Sequence, residues 1–410
     1  MTFHATRDSL RELRLFLEEI CCDLCRAEHT QDGRTAPESI KIRQEFPLNG
    51  RDEFADIRVQ IPGGVEYFVE VKFGYDPEAL AARLKRKYGA AQGKVVKVVV
   101  VTECRDPKLS SSLRELIRGV INPAVEVEIW DEQILYERIN RLYNLSLERL
   151  ETEEEILELR QALDAAKGRF AFEEDWVASD LQVALLWHFS FWHIRQIRRS
   201  GAFNPRNIMP PGMYKGVVAV IADLCSFSCY MRDTRDNDLV RHCLTSFYSK
   251  ARNEILNAGG MMLQFVGDEV IGLFGLPDQA AGYCEAALAT AESLLSVGAS
   301  VSNEWQRHLD RAQNQRGVHI GIAMGDLQIV SLRPFGRAHL GAVSDTINMA
   351  ARLLSVAGPD EIVVSNSFLR KLSTGAQSGF RALEPVDARN MGRIAAWKRG
   401  VGGTILAEPC

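Results

Sequence analysis

The sequence predicts an α/β (α+β) protein with two folded domains, on three observations. Hydrophobic periodicity switches repeatedly between the 3.6-residue step of helices and the two-residue step of strands. The 410 residues, 46% hydrophobic and 25% charged, exceed one ordinary core and supply apolar material for two. A stretch rich in Pro and Gly and without period, NPRNIMPPGMY (Asn204–Tyr214), then interrupts the pattern.

The elements follow in order. A helix runs through Arg26, followed by the strand-type runs IKIRQEF, FADIRVQI and EYFVEVKF, a helix near DPEALAARLKRKYG and the buried strand KVVKVVVVTE. A helix LSSSLRELIRG and a strand VEVEIW complete a first domain, residues 1–135. Residues 136–203 form a helical connector, in which Ile156, Leu159, Leu163 and Ala166 recur at steps of three and four. Two heptads are too few for a coiled coil, so the connector is expected to pack on its own neighbours. The second domain, 204–410, shows the strand GVVAVIADL, a helix from about Asp236 to Ala258, the hairpin MMLQFVGDEVIGLFG and a helix near AAGYCEAALATAESLLSV. The strand RGVHIGIAMGDLQIV, a helix from about Asp345 to Val356 and the strand DEIVVS follow.

Composition restricts the function classes. A formal charge of −5 gives no global attraction to nucleic acid or anionic lipid, leaving only local contacts with nucleic acid open. Nine scattered cysteines read as the reduced thiols of a cytoplasmic protein. The first residues alternate charge with Leu and Ile and lack the apolar run of a secretory signal. His188, Ser190 and His193 break LQVALLWHFSFWHIRQIRRS, so no membrane span is expected there but a buried or interfacial helix.

Chemistry concentrates in the second domain. The hairpin places Asp268 in a tight Gly-Asp turn between buried strands, and Asp223 ends the strand VVAVIAD just before the helix start CSFSCYM. Singly, each acid is what strand ends and turns ordinarily carry. Paired at adjacent strand ends, they would make an oxygen-rich site for Mg²⁺ or Mn²⁺, ions that take carboxylates together with substrate phosphates. Amides following Asp223 could receive phosphate at a helix N-terminus. In VSDTINMAARLL, Asn348 and Arg352 stand four apart on one helical face beside Ile347, Ala351 and Leu354. An Arg there can offset charge on a phosphoryl group, and an Asn can orient a sugar oxygen.

The ordered blocks ADLCSFS, FVGDEVIGLFG, HIGIAMGD and DTINMAARLL, within roughly Tyr214–Lys398, resemble the catalytic domain of class III nucleotidyl cyclases, the adenylate/guanylate cyclase homology family. The resemblance implies a ferredoxin-like fold, an antiparallel-rich sheet flanked by helices, with its site formed between two such domains. It implies that Asp223 and Asp268 hold two divalent ions, Mn²⁺ or Mg²⁺, with the Leu224 carbonyl. Ser226, Phe227 and Ser228 would face the triphosphate, and Asn348 and Arg352 would orient the ribose and stabilise the transition state. One catalytic domain per chain implies a homodimer acting on a nucleoside triphosphate.

At the two base-reading positions the chain departs from the family. Adenylate cyclases carry Lys three residues before the Gly of the turn and Asp or Thr seven before the helix Asn; guanylate cyclases usually carry Glu and Cys. Here Gln264 and Gly341 occupy these positions. A Gln both donates and accepts, and Gly removes the second reader. The branch with atypical readers is the pyrimidine cyclases of the Pycsar antiphage systems, which the chain resembles. That implies cyclic CMP or cyclic UMP as a messenger activating a cell-killing effector, with UTP favoured over CTP though no residue decides it; the alternative is a purine cyclase with unusual base readers.

In the first domain, FADIRVQIPGGVEYFVEVKFG places Asp56 on one strand and Glu70 and Lys72 on the next, on one face if both keep period two. This pattern, with the order of elements, resembles the restriction-endonuclease-like fold and its metal-dependent phosphodiester cleavage. Alternating Asp, Glu and Lys also occur on half-exposed strands, so a sensing or scaffolding use is the expectation and a nuclease the rival. Cys22 and Cys25, with His29 nearby, lack a second Cys pair and fall in a helix, which reads as buried thiols and not as a zinc site. The aromatics and arginines of WHFSFWHIRQIRRS read as packing before single-strand binding.

Overall fold

The computed structural model describes residues 7–30, 35–48, 53–89, 96–104, 106–148, 150, 153–309, 315–332, 339–388 and 392–400. In chain order the elements begin α1 (Arg7–Glu28), β1 (Lys41–Pro47), β2 (Phe54–Gln60), β3 (Glu66–Val71), α2 (Pro77–Tyr88), β4 (Lys97–Val101), α3 (Pro107–Arg118) and β5 (Glu126–Trp130). There follow α4 (Glu132–Tyr143), α5 (Glu153–Phe172), α6 (Asp180–His188), α7 (Phe191–Arg199), β6 (Gly212–Leu224), α8 (Phe227–Asp233), α9 (Asn237–Asn257), β7 (Met261–Val266) and β8 (Glu269–Phe274). Then come α10 (Tyr283–Gln306), β9 (Val318–Leu332), β10 (His339–Val343), α11 (Asp345–Leu354), β11 (Glu361–Ser365), α12 (Asn366–Leu369) and α13 (Thr374–Gln377). The short strands β12 (Arg381–Ala382), β13 (Val386–Ala388), β14 (Gly392–Ile394) and β15 (Ala396–Gly400) close the series. The chain divides into two compact units, Met1–Phe203 with Asp236–Asn257, and Asn204–Arg235 with Ala258–Cys410.

The first unit holds a five-stranded sheet in the order β1-β2-β3-β4-β5. The first three strands form an antiparallel meander, and β3, β4 and β5 run parallel, joined by the crossover helices α2 and α3. Both crossover helices start at an Asp-Pro pair. Asp76 accepts from the Glu78 and Ala79 amides, Asp106 accepts from Lys108, and the proline takes a position where no amide is needed. Phe68, Leu80, Leu84, Tyr88, Val98 and Val100 are buried in their core. The connector is not a separate body: α5 packs on α4, α6 and α7 and buries Ile156, Leu159, Leu163 and Ala166, as expected of neighbours packed locally. The single helix expected over residues 181–200 is two. Ser190 ends the run by accepting from the His193 amide to cap α7, because a hydroxyl in an extended residue competes for the helical amides. Helix α9, which the sequence assigns to the second domain, packs in the first unit against α1 and β1. Its Glu254 accepts from the Gln44 amide at 2.6 Å, and Lys250 pairs with Glu45 and with Glu18.

The second unit is built on a sheet in the order β12-β15-β11-β9-β6-β8-β7, with β10 added on β9. All its pairings are antiparallel except β9 with β11. Strands β6, β7, β8 and β9 alternate with helices in a β-α-β-β-α-β succession and stand in the order β9-β6-β8-β7, a ferredoxin-like arrangement. The central strand β6 is buried on both faces from Val217 to Ala222, which is why its sequence is a continuous apolar run. Helix α11 lies on β9 and β6, burying Thr346, Ala350, Leu353 and Leu354. The architecture is α/β in both units, as the alternating periodicities require.

Candidate active site

The acids of the second unit converge. In the β6–β8 register Asp223 stands opposite Glu269, the residue after Asp268, so the end of the central strand meets the hairpin turn. The β7–β8 turn has two residues between the paired Val266 and Glu269. Such a turn needs a left-handed first residue, and Gly267 takes φ +63 there. The turn thereby fixes Asp268 beside Asp223. Burial first, and then the neighbouring Asp223 carboxyl, push Asp268 up to about 7. Burial and Asp223 raise Glu269 as well.

Asp223 has two unlike oxygens. Its Oδ2 lies 3.0 Å from His319 Nε2, and its Oδ1 is buried without a hydrogen-bond partner among the described residues. A bare carboxylate oxygen beside a second, like-charged carboxyl fits a divalent cation, which relieves both the missing donor and the repulsion. No group of three His, Cys, Asp or Glu side chains among the described residues could enclose an ion. The residues that would hold one are Asp223 and Asp268, to which the resemblance adds the Leu224 carbonyl, leaving the remaining coordination to water and a bound anion, the pattern suited to Mg²⁺ or Mn²⁺.

Immediately after Asp223 the chain turns sharply. The Cys225 amide donates to the Gly317 carbonyl at 3.0 Å, and Ser226 is left-handed at φ 60. The Cys229 and Tyr230 amides return to the Ser226 carbonyl at 2.9 and 3.0 Å, while those of Phe227 and Ser228 have no acceptor within the helix. Phe227 is half-buried and Ser228 exposed. Trp305 anchors this short helix: its ring stacks on Tyr230 at 4.9 Å and meets Phe227 edge-on at 6.2 Å, and its Nε1 donates to Thr234 at 2.8 Å.

Asn348 and Arg352 share one solvent-exposed face of α11. Ala351 is also exposed and Ile347 half-buried, so the buried stripe runs along Thr346, Ala350, Leu353 and Leu354 instead of the expected Ile347, Ala351 and Leu354. Among the described residues no hydrogen bond or ion pair joins Asn348 or Arg352 to the acids. Of the two positions where the resemblance places base readers, Gln264 is exposed on β7 after a register shift, and Gly341 is half-buried on β10 opposite Val330. Strands β10 and β7 touch, so the two positions lie on adjoining elements.

Sequence reasoning missed His319 and Trp305. His319 lies in a quoted block, but only the β6–β9 register, which sets it opposite Asp223, shows its contact. Trp305 ends a long apolar helix whose pattern reads as ordinary core.

Asp56, Glu70 and Lys72 do come together, in a closed cluster. Lys72 pairs with Asp56 and with Glu70 at 2.9 Å; Lys87 reaches Glu70 at 2.6 Å, and the Tyr88 hydroxyl donates to Glu70 at 2.6 Å. Glu70 has no exposed surface and Lys72 has 4%, so these are not the alternating residues of a half-exposed strand. A metal ion would have to displace the Lys87 ammonium. Cys22 and Cys25 are buried with their thiols pushed up by desolvation first, and no disulfide forms among the described cysteines. The aromatics of α7 pack: Phe170 meets Phe191 and Trp192 at 5.3 and 4.8 Å, under the Arg195 guanidinium. Among the described residues no helix is long and apolar enough to cross a membrane.

No family model matches the chain, and no curated protein does. Solved structures to which it is similar include the adenylyl cyclase CyaB from P. aeruginosa, at 17% identity over 48% of this chain and 98% of that one, with a TM-score of 0.41. The guanylyl cyclase Cya2 shows 22% identity over 48% of this chain and 98% of that one, TM-score 0.38. A bacterial light-regulated adenylyl cyclase shows 15% identity over 67% of this chain and 68% of that one, TM-score 0.40. At these identities and scores the likenesses carry no weight for what this chain does.

Proposed function

We propose that this chain is a nucleotidyl cyclase, converting a nucleoside triphosphate to its 3′,5′-cyclic monophosphate and pyrophosphate. The observation that carries the reading is the Asp223–Asp268 pair, with the bare, buried Asp223 Oδ1 and the Asp268 carboxyl pushed up to about 7. Two divalent ions held there would supply activation of the 3′-hydroxyl and offset charge at the α-phosphate. Asp223 and Asp268 would hold those ions and, through them, the triphosphate, and the turn at Ser226, Phe227 and Ser228 offers amides to phosphate oxygens. The Arg352 guanidinium neutralises charge that grows as the 3′-oxygen bonds to the α-phosphorus and the bond to the pyrophosphate oxygen breaks. Asn348 orients the ribose for that in-line attack. The solvent-exposed face of α11 carrying Asn348 and Arg352 supports a homodimer in which each site takes acids from one protomer and the Asn-Arg pair from its mate.

Gln264 and Gly341 support a pyrimidine substrate; UTP is taken before CTP, although neither residue decides between them. Mismatching a buried base edge costs about 1–3 kcal/mol, so changed readers favour a changed base. The role as a cytoplasmic antiphage messenger synthase acting through an effector rests on the resemblance alone. A purine cyclase with unusual readers is the alternative, and a nuclease in the first unit finds support only in the convergence of Asp56, Glu70 and Lys72. Incubating the protein with Mn²⁺ and each ribonucleoside triphosphate tests the reading. The expected product is cyclic UMP with pyrophosphate; linear products from all four, or none, would overturn it.

A further inference from the structure

Between the central strand and its neighbour a three-residue chain of polar contacts ends on the candidate metal ligand. His319 on β9 faces Asp223 in the register, and its Nε2 lies 3.0 Å from Asp223 Oδ2. On the other side of the ring, Nδ1 lies 3.6 Å from Cys225 Sγ, two residues past Asp223. A carboxylate accepts only, so Nε2 carries a proton; in the neutral ring Nδ1 is then an acceptor, and the thiol, the remaining donor, completes the chain. The contacts run one way: Cys225 S–H to Nδ1, Nε2–H to Oδ2.

We propose that His319, held in one tautomer by Cys225, is a positioning residue for Asp223: it occupies Oδ2 and turns the bare Oδ1 toward the divalent ion. The inference rests on the cyclase reading, in which Asp223 is a metal ligand. The physical reason is that a carboxylate with both oxygens free rotates about χ2 and samples orientations useless to a cation, whereas a donor on one oxygen fixes the other. Without His319, Oδ2 would lose its donor and both oxygens of Asp223 would be bare. The ring acts through Asp223 and need not touch substrate.

The test is Mn²⁺ affinity of the 410-residue chain at pH 8, read from the free-ion signal in electron paramagnetic resonance, for wild type, D223A, H319A, H319Q and C225A. D223A is expected to abolish the tight site, H319A to weaken it about 10–100-fold, and H319Q, which keeps a donor of similar reach, to recover most of that loss. C225A should fall between wild type and H319A, because the ring stays but its tautomer is released. In turnover, the H319A defect should lie in the Mn²⁺ concentration needed for half-maximal rate and shrink at saturating metal. Unchanged Mn²⁺ affinity in H319A, with D223A still null, overturns the inference and leaves the cyclase reading standing. Unchanged affinity in D223A overturns both. Should H319A not fold, as judged by circular dichroism, H319Q and C225A decide: wild-type affinity in C225A together with loss in H319Q overturns the positioning role.

Discussion

A Cβ on Gly321 of β9 would stand 2.1 Å from the Ala350 carbonyl oxygen and 2.5 Å from the Leu354 amide nitrogen, so the backbone of α11 rests directly on the strand. Only a residue without a side chain lets helix and strand approach so closely, and that approach sets where Asn348 and Arg352 project. G321A must push the helix outward. The expected loss is about 1–3 kcal/mol of stability, typical of overpacking, with a rate loss exceeding what the unfolded fraction explains. Wild-type turnover in a folded G321A protein would show that the position of α11 does not matter to the site.

Glu70 has no exposed surface and accepts from Lys72, Lys87 and Tyr88. Removing it leaves two ammoniums short of a counter-charge in the core. E70A is therefore expected to destabilise the first unit by about 3–5 kcal/mol in urea unfolding, and a second change, K87M, to return part of that loss. DNA cleavage by the wild type that E70Q abolishes would contradict the closed-cluster account.

The Lys167 ammonium, 2.7 Å away, holds Glu19 down to about 2. A folded-state value below the unfolded one near 4.5 means the pair stabilises above pH 4.5 and loses its contribution as pH falls toward 2. The gap in thermal midpoint between wild type and K167M should be open at pH 6 and close as the pH drops through that window. A gap independent of pH would show that it does not arise from the Glu19 carboxylate.

Gln264 and Gly341 lie on adjoining strands at the positions where the resemblance places base readers. Q264K combined with G341D is expected to raise kcat/KM for ATP relative to UTP by at least about tenfold, the scale of one or two matched hydrogen bonds. An unchanged ratio with activity retained would remove these residues from base selection.

Much of this molecule is legible in its sequence. Asp-Pro helix starts, the apolar run of β6 and the Gly-Asp turn each follow from local chemistry, and all fold as that chemistry requires. The acids Asp223 and Asp268 could be paired because a strand end and a hairpin turn meet whenever their strands are neighbours. Other features depend on register or packing that periodicity does not encode. His319 faces Asp223 only because β9 runs beside β6 in one alignment, and Lys87 closes on Glu70 only because α2 lies over β3. Helix α9 follows β6 in sequence but finds its buried polar partners, Gln44 and Glu45, in the first unit. The break at Ser190 is a cap the apolar pattern conceals.

In the proposed homodimer each site joins acids of one protomer to the arginine of the other. D223A and R352A should each lose at least about 10²-fold in rate when alone. Mixed after co-expression, they should recover activity to about a quarter of wild type, since half the dimers pair unlike chains and each of those retains one intact site of two. A mixture no more active than its parents, with mixed dimers verified by affinity tags on each chain, would contradict the account.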